Sequence, residues 1–106
     1  PSLKPSTEIY AAVAGALSDA VLRPIRELRQ MGVNVAVDTS GRKLDKQIKA
    51  AVKMRVPYLL FIGEKELREE IYRLKDVKHE KEYELSLERI VTTVEDYRGK
   101  NKDDLL

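Results

Sequence analysis

The run Tyr58-Leu59-Leu60-Phe61-Ile62 decides the fold, because it is a continuous apolar stretch of strand length between Pro57 and Gly63. An uninterrupted apolar strand is typical of the middle of a sheet that is covered on both faces. Pro57 also ends the helical pattern that precedes the run. The sequence around this strand should therefore supply further strands and the helices that cover them.

Upstream, Glu8–Ala14 and Val33–Val37 have the composition of strands, and the valines of the second stretch alternate cleanly. Apolar residues at helical spacing predict a helix between them, with Ser18 as a candidate N-cap. Pro24 would kink a helix that began at Ser18, so the regular helix is expected to begin only near Leu22.

A second helix is predicted from Arg42 to about Arg55, after the turn residues Thr39-Ser40-Gly41. At a helical rotation of 100° per residue, this predicted helix has two distinct faces. The predicted buried stripe consists of Leu44, Ile48, Ala51 and Val52, and the predicted basic column on the opposite face consists of Arg42, Lys46, Lys49 and Lys53.

Downstream of the central strand, the pattern indicates one short helical turn, two strands and a last helix. The ranges are Glu64–Glu69, Ile71–Val77, Tyr83–Leu85 and Ser86–Gly99. The element order is β-α-β-α-β-(α)-β-β-α, which predicts parallel neighbours joined by right-handed crossovers and a closing antiparallel hairpin. We therefore expect an α/β fold with three α/β/α layers and a mixed sheet.

Composition limits the classes of function. The 106 residues are enough for one domain, which we place at residues 8–99, with a linker at 1–7 and a flexible tail at 100–106. The linker-like start favours a piece of a longer protein. The chain has no cysteine, which excludes thiol chemistry, and only one histidine, His79, which excludes histidine metal clusters. No apolar run approaches the ~20 residues of a membrane helix, and a cytoplasmic location is expected.

Two polar loops should meet at one edge of the sheet. The Asp38–Arg42 turn and the Gly63–Glu66 segment each follow a strand, and ligands of open α/β sheets bind at the carboxyl ends of the strands. Arg42 and Lys43 suit phosphates, and exposed carboxylates accept hydrogen bonds from base amino groups. The alternative is that these are simple turns with solvated charges. Glu64 and Glu66 do not face each other at the start of a helix, which disfavours an acid–base pair.

Three segments carry a resemblance to a known family. Ser40-Gly41-Arg42-Lys43-Leu44-Asp45-Lys46-Gln47, Ile62-Gly63-Glu64-Lys65-Glu66-Leu67 and Leu74-Lys75-Asp76-Val77 resemble elements of the C-terminal anticodon-binding domain of histidyl-tRNA synthetases. The similarity runs from Ile9 to about Tyr97. Prolyl, threonyl and glycyl enzymes share the fold, and Gln47 with Lys75-Asp76 favours the histidyl group.

The resemblance implies a five-stranded mixed sheet whose rim binds the anticodon stem-loop of histidine tRNA. It also implies a catalytic domain in the same parent chain, which would use ATP and histidine, and a homodimeric parent. This domain itself would hold no catalytic residue, metal or cofactor. The expected tRNA contacts are Ser40, Gly41, Arg42, Lys43, Lys46, Gln47, Glu64, Glu66 and Lys75.

Two other interpretations remain open. The first is a repurposed copy of the domain that binds other RNA or a protein in a regulatory protein. Departures from the family pattern at Val13–Ser18, Arg68–Glu70 and Glu80 would fit either a divergent synthetase or such a borrowed domain. The second is a small doubly wound signalling or enzyme domain, for which the chain has no catalytic set. Exposure of Arg42 and Gln47 together with the carboxylate of Glu64 would favour the synthetase, and an apolar patch at the rim would favour an interaction module.

Overall fold

A computed structural model describes residues 6–104, with side chains through Lys100. Its five strands are β1 (Ile9–Val13), β2 (Val35–Val37), β3 (Tyr58–Ile62), β4 (Tyr72–Asp76) and β5 (Lys81–Leu85). They form one sheet in the order β2-β1-β3-β4-β5. The first three are parallel, and β4 and β5 are antiparallel to their neighbours. The predicted mixed sheet with apolar β3 at its centre is confirmed.

Helices cover both faces of the sheet. They are α1 (Asp19–Gln30), α2 (Leu44–Lys53), α3 (Glu64–Glu69) and α4 (Leu87–Asp104). α1 and α4 pack on one face through residues such as Ile25, Leu28 and Ile90. α2 packs on the other face, where Ala51 lies against Leu59 and its neighbours. The predicted three-layer α/β/α architecture is therefore confirmed. None of the helices among residues 6–104 is long and apolar enough to cross a membrane.

α1 begins earlier than the sequence suggested. Ser18 caps it, its hydroxyl accepting a hydrogen bond from the Val21 N–H over 3.3 Å. The helix then runs through Pro24 without ending, so the prediction that it begins near Leu22 was wrong. Pro24 removes one backbone donor, but its ring is buried in the core, and that packing offsets the lost hydrogen bond.

Two other predictions about helices were wrong. Val52 was placed in the buried stripe of α2, yet it is 51% exposed. Gln47 and Ala51 lie at the centre of that stripe, and Val52 is turned about 100° away from Ala51. α4 was expected to end at Gly99 but continues to Asp104. Gly99 lacks the positive φ of a glycine that ends a helix, unlike Gly32 after α1.

The proposed terminal segments are only partly described. Residues 1–5 of the linker and 105–106 of the tail lie outside the described residues, whereas 100–104 belong to α4. Ser86 accepts a long hydrogen bond from the Arg89 N–H, 3.4 Å, at the start of that helix, as its N-cap role predicted.

Candidate nucleic-acid interface

Asp38 anchors the turn that follows β2. Only 1% of its side chain is exposed, and its carboxylate accepts a hydrogen bond from the Tyr10 hydroxyl over 2.7 Å. Burial alone raises the pKa of Asp38, but hydrogen bonds from Ser40, Tyr10 and Arg42 outweigh it and hold the pKa well below its usual range. Asp38 is therefore a fixed negative charge under the turn.

The rest of the turn is built around this carboxylate. The Ser40 N–H donates to Asp38 Oδ1 over 2.9 Å, and Ser40 Oγ accepts from Arg42 Nε over 2.8 Å. Arg42 Nη2 donates to Asp38 Oδ2 over 2.8 Å, while 44% of its side chain stays exposed. Gly41 has a φ of +76°, a conformation that glycine adopts without strain. The turn therefore presents Arg42 in one fixed orientation at the rim.

Gln47 lies beneath the rim rather than on it. It is 3% exposed, and its amide binds both backbone groups of Val13, donating to the carbonyl oxygen over 3.0 Å and accepting from the N–H over 2.8 Å. The same amide donates to the Arg42 carbonyl over 2.8 Å. On the β2 side of β1, the last backbone hydrogen bond runs from the Asp38 N–H to the Ala11 carbonyl, two residues before Val13. By bonding to Val13, the Gln47 amide continues the row of hydrogen bonds along this side of β1 beyond the end of β2.

The expectation that Gln47 is exposed together with Arg42 and Glu64 was therefore wrong. Sequence periodicity placed the lysines of α2 outward, but a glutamine gives no comparable sign of burial. Its partners are backbone groups of Val13, 34 residues away, and no side-chain pattern predicts them. The geometry gives Gln47 the role of holding Arg42 and the end of β1 together.

The basic column on α2 forms as predicted. Arg42, Lys46, Lys49 and Lys53 are all exposed and line one shallow groove with Ala50. Lys43 immediately precedes the helix and is also exposed. α2 begins at Leu44 rather than at the predicted Arg42, so Arg42 lies just before the helix and three lysines follow along one helix face. Together the four like charges create a positive potential that suits a polyanion backbone.

The second loop of the rim follows β3. The Ala14 N–H donates to the Ile62 carbonyl over 3.0 Å, which joins the ends of β1 and β3. A Cβ built on Gly63 would lie 2.8 Å from Glu66 Oε1, so this carboxylate folds back over the start of α3. Glu64 is exposed in the first turn of the same helix.

The two loops therefore lie on either side of the end of β1. Strand spacing separates their backbones by about 10 Å. The prediction that the two polar loops meet at one edge of the sheet is confirmed by this topology.

Lys75 does not join the rim. It pairs with Leu59 near the start of β3, about 10 Å along the sheet from Ile62, and lies on the face that α2 covers. Arg73, which we did not predict, shares that face nearer the rim, with its guanidinium carbon 4.8 Å from the centre of the Phe61 ring. The sequence did contain a signal for the position of Arg73. Tyr72 and Leu74 read as inward-facing residues of a strand, and because alternate strand residues face opposite ways, Arg73 between them must lie on the other face.

Comparison with known proteins identifies the domain type. Residues 8–97 match the family model for the anticodon binding domain. The chain is 34% identical over 100 residues to the histidine–tRNA ligase of Chlorobium phaeobacteroides, covering 92% of this chain and 23% of that protein. It is 38% identical over 72 residues to the enzyme of Pediococcus pentosaceus, covering 68% of this chain and 17% of that one.

Solved structures show the same fold. The histidyl-tRNA synthetase of Nostoc sp. PCC 7120 matches with a TM-score of 0.73 and 25% identity, covering 88% of this chain and 23% of that chain. The RNA binding domain of threonyl-tRNA synthetase from Cryptosporidium parvum has a TM-score of 0.71 at 21% identity, a likeness of fold alone, over 86% of this chain and 23% of that one. The chain thus spans less than a quarter of the length of each of these relatives. Because the family match extends over nearly the whole described fold, the chain belongs to the anticodon-binding-domain family and is similar in sequence to the histidine–tRNA ligases.

Proposed function

We propose that this chain recognises the anticodon stem-loop of histidine tRNA as a domain of a histidine–tRNA ligase. The observation that carries the proposal is the rigid Asp38–Arg42 turn, which lies beside the basic column and one strand away from the carboxylates of Glu64 and Glu66. Family membership and the names of the relatives support it. The parent chain would contain the catalytic domain that uses ATP and histidine, and it would act as a cytoplasmic homodimer.

The residues divide by chemistry. The side chains of Arg42, Lys43, Lys46 and Lys49 would contact phosphates, which positions the loop without reading its sequence. The carboxylates of Glu64 and Glu66 would accept hydrogen bonds from unstacked bases, whose edges are accessible in a single-stranded loop. Ser40 and Gly41 would contribute the turn itself, and Lys75 would contact RNA that extends over the sheet face.

Two residues would act by positioning. Gln47 has no exposed donor for RNA, and its amide fixes the Arg42 carbonyl. Asp38 fixes the Arg42 guanidinium. Loss of either should weaken RNA binding through the geometry of the turn.

A charge-reversal experiment tests the location of the interface. We expect Lys46→Glu and Lys49→Glu each to weaken stem-loop binding and to reduce the slope of log affinity against log salt by about 0.7–0.9. Arg89→Glu is the matched control, since Arg89 is an exposed cation on α4, across the sheet from α2. Equal losses in all three variants would mean that binding follows net charge and would refute the assignment to this face.

A repurposed domain remains the second candidate. An apolar side chain at the rim, Leu17 in the segment after β1, is 39% exposed and would suit an interaction module, whereas the exposed Val52 and Met54 lie at the end of α2 remote from the rim. The family match and the names of the relatives support anticodon recognition instead. Stem-loop binding that ignores the anticodon sequence would favour this candidate.

A further inference from the structure

A second concave site lies at the end of the sheet opposite the rim. It is a cleft of about 540 Å³ between α4 and the β4–β5 hairpin, and Tyr58, Asp76 and Tyr97 are among the residues that line it. Tyr58 begins β3, whereas the rim follows Ile62, so about 13 Å of strand separates the two sites. The volume lies within the usual range of small-molecule sites, about 300–1,000 Å³.

Three tyrosines form the aromatic part of the cleft. Tyr58 and Tyr97 pack edge to face, with ring centres 5.6 Å apart and planes at 77°. Tyr83 projects from β5 toward the same side of the sheet, because it pairs with the core residue Leu74. It is 40% exposed. An aromatic ring that is half-exposed inside a concave site offers a stacking surface for a planar guest.

Cations surround this aromatic surface. Arg55, Lys78 and Lys100 line the cleft and are exposed. Asp76 is held by His79, whose backbone N–H lies 3.1 Å and whose Nδ1 lies 2.9 Å from the carboxylate oxygens. Lysine and arginine side chains therefore outnumber the carboxylates of the lining, Asp76 and Asp96, by three to two, and Asp76 already has a partner.

Two further polar groups of the cleft can form hydrogen bonds with a bound planar molecule. Asp96 lines the cleft and is exposed, so its carboxylate can accept hydrogen bonds. Burial, with Asp76 nearby, raises the pKa of Tyr58 to about 12, so its hydroxyl remains a donor throughout the physiological range.

We infer that this cleft binds a nucleotide. Tyr83 stacks on the base, Lys78 and Lys100 hold the phosphate, and Asp96 accepts a hydrogen bond from a base amino group or a ribose hydroxyl. The excess of cations over carboxylates, three to two, favours an anionic guest over a cationic one, and the polar walls disfavour a purely apolar one. The shared chemistry is a base joined to a phosphate, whether as a free nucleotide or as one unit of a single strand.

The test is titration of the ¹⁵N-labelled 106-residue chain with AMP, followed by amide chemical shifts. We expect saturable shifts at residues 76–85 and 96–100, with weaker binding of adenosine. Tyr83→Ala should weaken AMP binding about fivefold or more, the lower end of base–aromatic stacking, and Tyr83→Phe should retain it. Dispersed amide spectra of each variant establish that it is folded.

A charge test keeps the inference falsifiable if Tyr83→Ala does not fold. The double variant Lys78→Glu and Lys100→Glu should weaken AMP about fivefold while changing adenosine binding less than twofold. Arg26→Glu, at an exposed cation on α1 that does not line the cleft, should change neither.

Three results would overturn the inference. They are no shifts in the cleft at millimolar AMP, shifts confined to the rim, or equal binding of AMP and adenosine with no response to the double variant. A short single strand that competes with AMP for the same amides would identify a strand as the source, and binding of AMP alone would identify a free nucleotide. Because rim variants are not involved, this result is independent of stem-loop recognition.

Discussion

Replacing Gln47 with leucine separates a positioning role from direct RNA contact. Leucine fills a similar volume but removes three hydrogen bonds at once, two to the backbone of Val13 and one to the Arg42 carbonyl. The backbone N–H and carbonyl of Val13 lie at the buried end of β1. The last bond from the β2 side is made by Asp38 to Ala11, so that side offers Val13 no backbone partner. The substitution therefore leaves a buried donor and a buried acceptor without partners.

The expected cost follows from those two groups. A buried polar group left without a partner costs about 1–3 kcal/mol, and the added apolar burial of leucine returns about 1 kcal/mol. The Arg42 carbonyl is closer to solvent, so water can replace its lost partner. We expect Gln47→Leu to lower the free energy of unfolding by about 1–5 kcal/mol.

Urea unfolding followed by circular dichroism measures this change. Lys49→Leu is the matched control on the same helix, because Lys49 is exposed and its replacement should change the free energy of unfolding by less than about 0.5 kcal/mol. If Gln47→Leu unfolds like the wild type but loses stem-loop affinity, Gln47 contacts RNA directly and the positioning role is wrong.

Three further predictions concern single charges. The pKa of Asp38 is lowered in the folded state, so its stabilising contribution is fully present above the unfolded value of about 3.9 and is lost as pH falls toward the folded value. Asp38→Asn should therefore be less stable than the wild type near pH 7, with a gap that narrows between pH 5 and pH 2 in urea unfolding; a gap independent of pH would contradict this. Arg98→Met should cost about 2 kcal/mol in the same assay, because it leaves the Glu8 carboxylate, only 9% exposed, without its partner, and adding Glu8→Gln should restore part of the loss. Glu64→Gln should reduce the preference for the cognate over a scrambled anticodon loop about fivefold, as measured by competition binding; unchanged preference would remove Glu64 from base reading.

The sequence was sufficient for the architecture because its apolar patterns are local and strong. The uninterrupted run of β3 predicted a central strand, and the spacing of Lys46, Lys49 and Lys53 predicted one outward basic face. Both features depend only on how often side chains recur on one face of a strand or helix, and this spacing can be read directly from the sequence.

The errors arose where a distant partner decided the outcome. Pro24 stays in α1 because the core encloses its ring, and Gln47 is buried because the end of β1 needs two hydrogen bonds. Neither partner is near in the sequence. Asp38 was placed correctly in the turn, but its role as the anchor of Arg42 required the contact with Tyr10, 28 residues away.

The most direct test of anticodon recognition is binding of the 106-residue chain to a histidine-tRNA anticodon stem-loop and to a scrambled-loop control at two salt concentrations. We expect the cognate loop to bind more tightly at both concentrations, because base contacts add to a phosphate term that weakens steeply with salt. Equal, salt-sensitive binding of the two loops by the folded domain would contradict anticodon recognition and leave only general affinity for RNA.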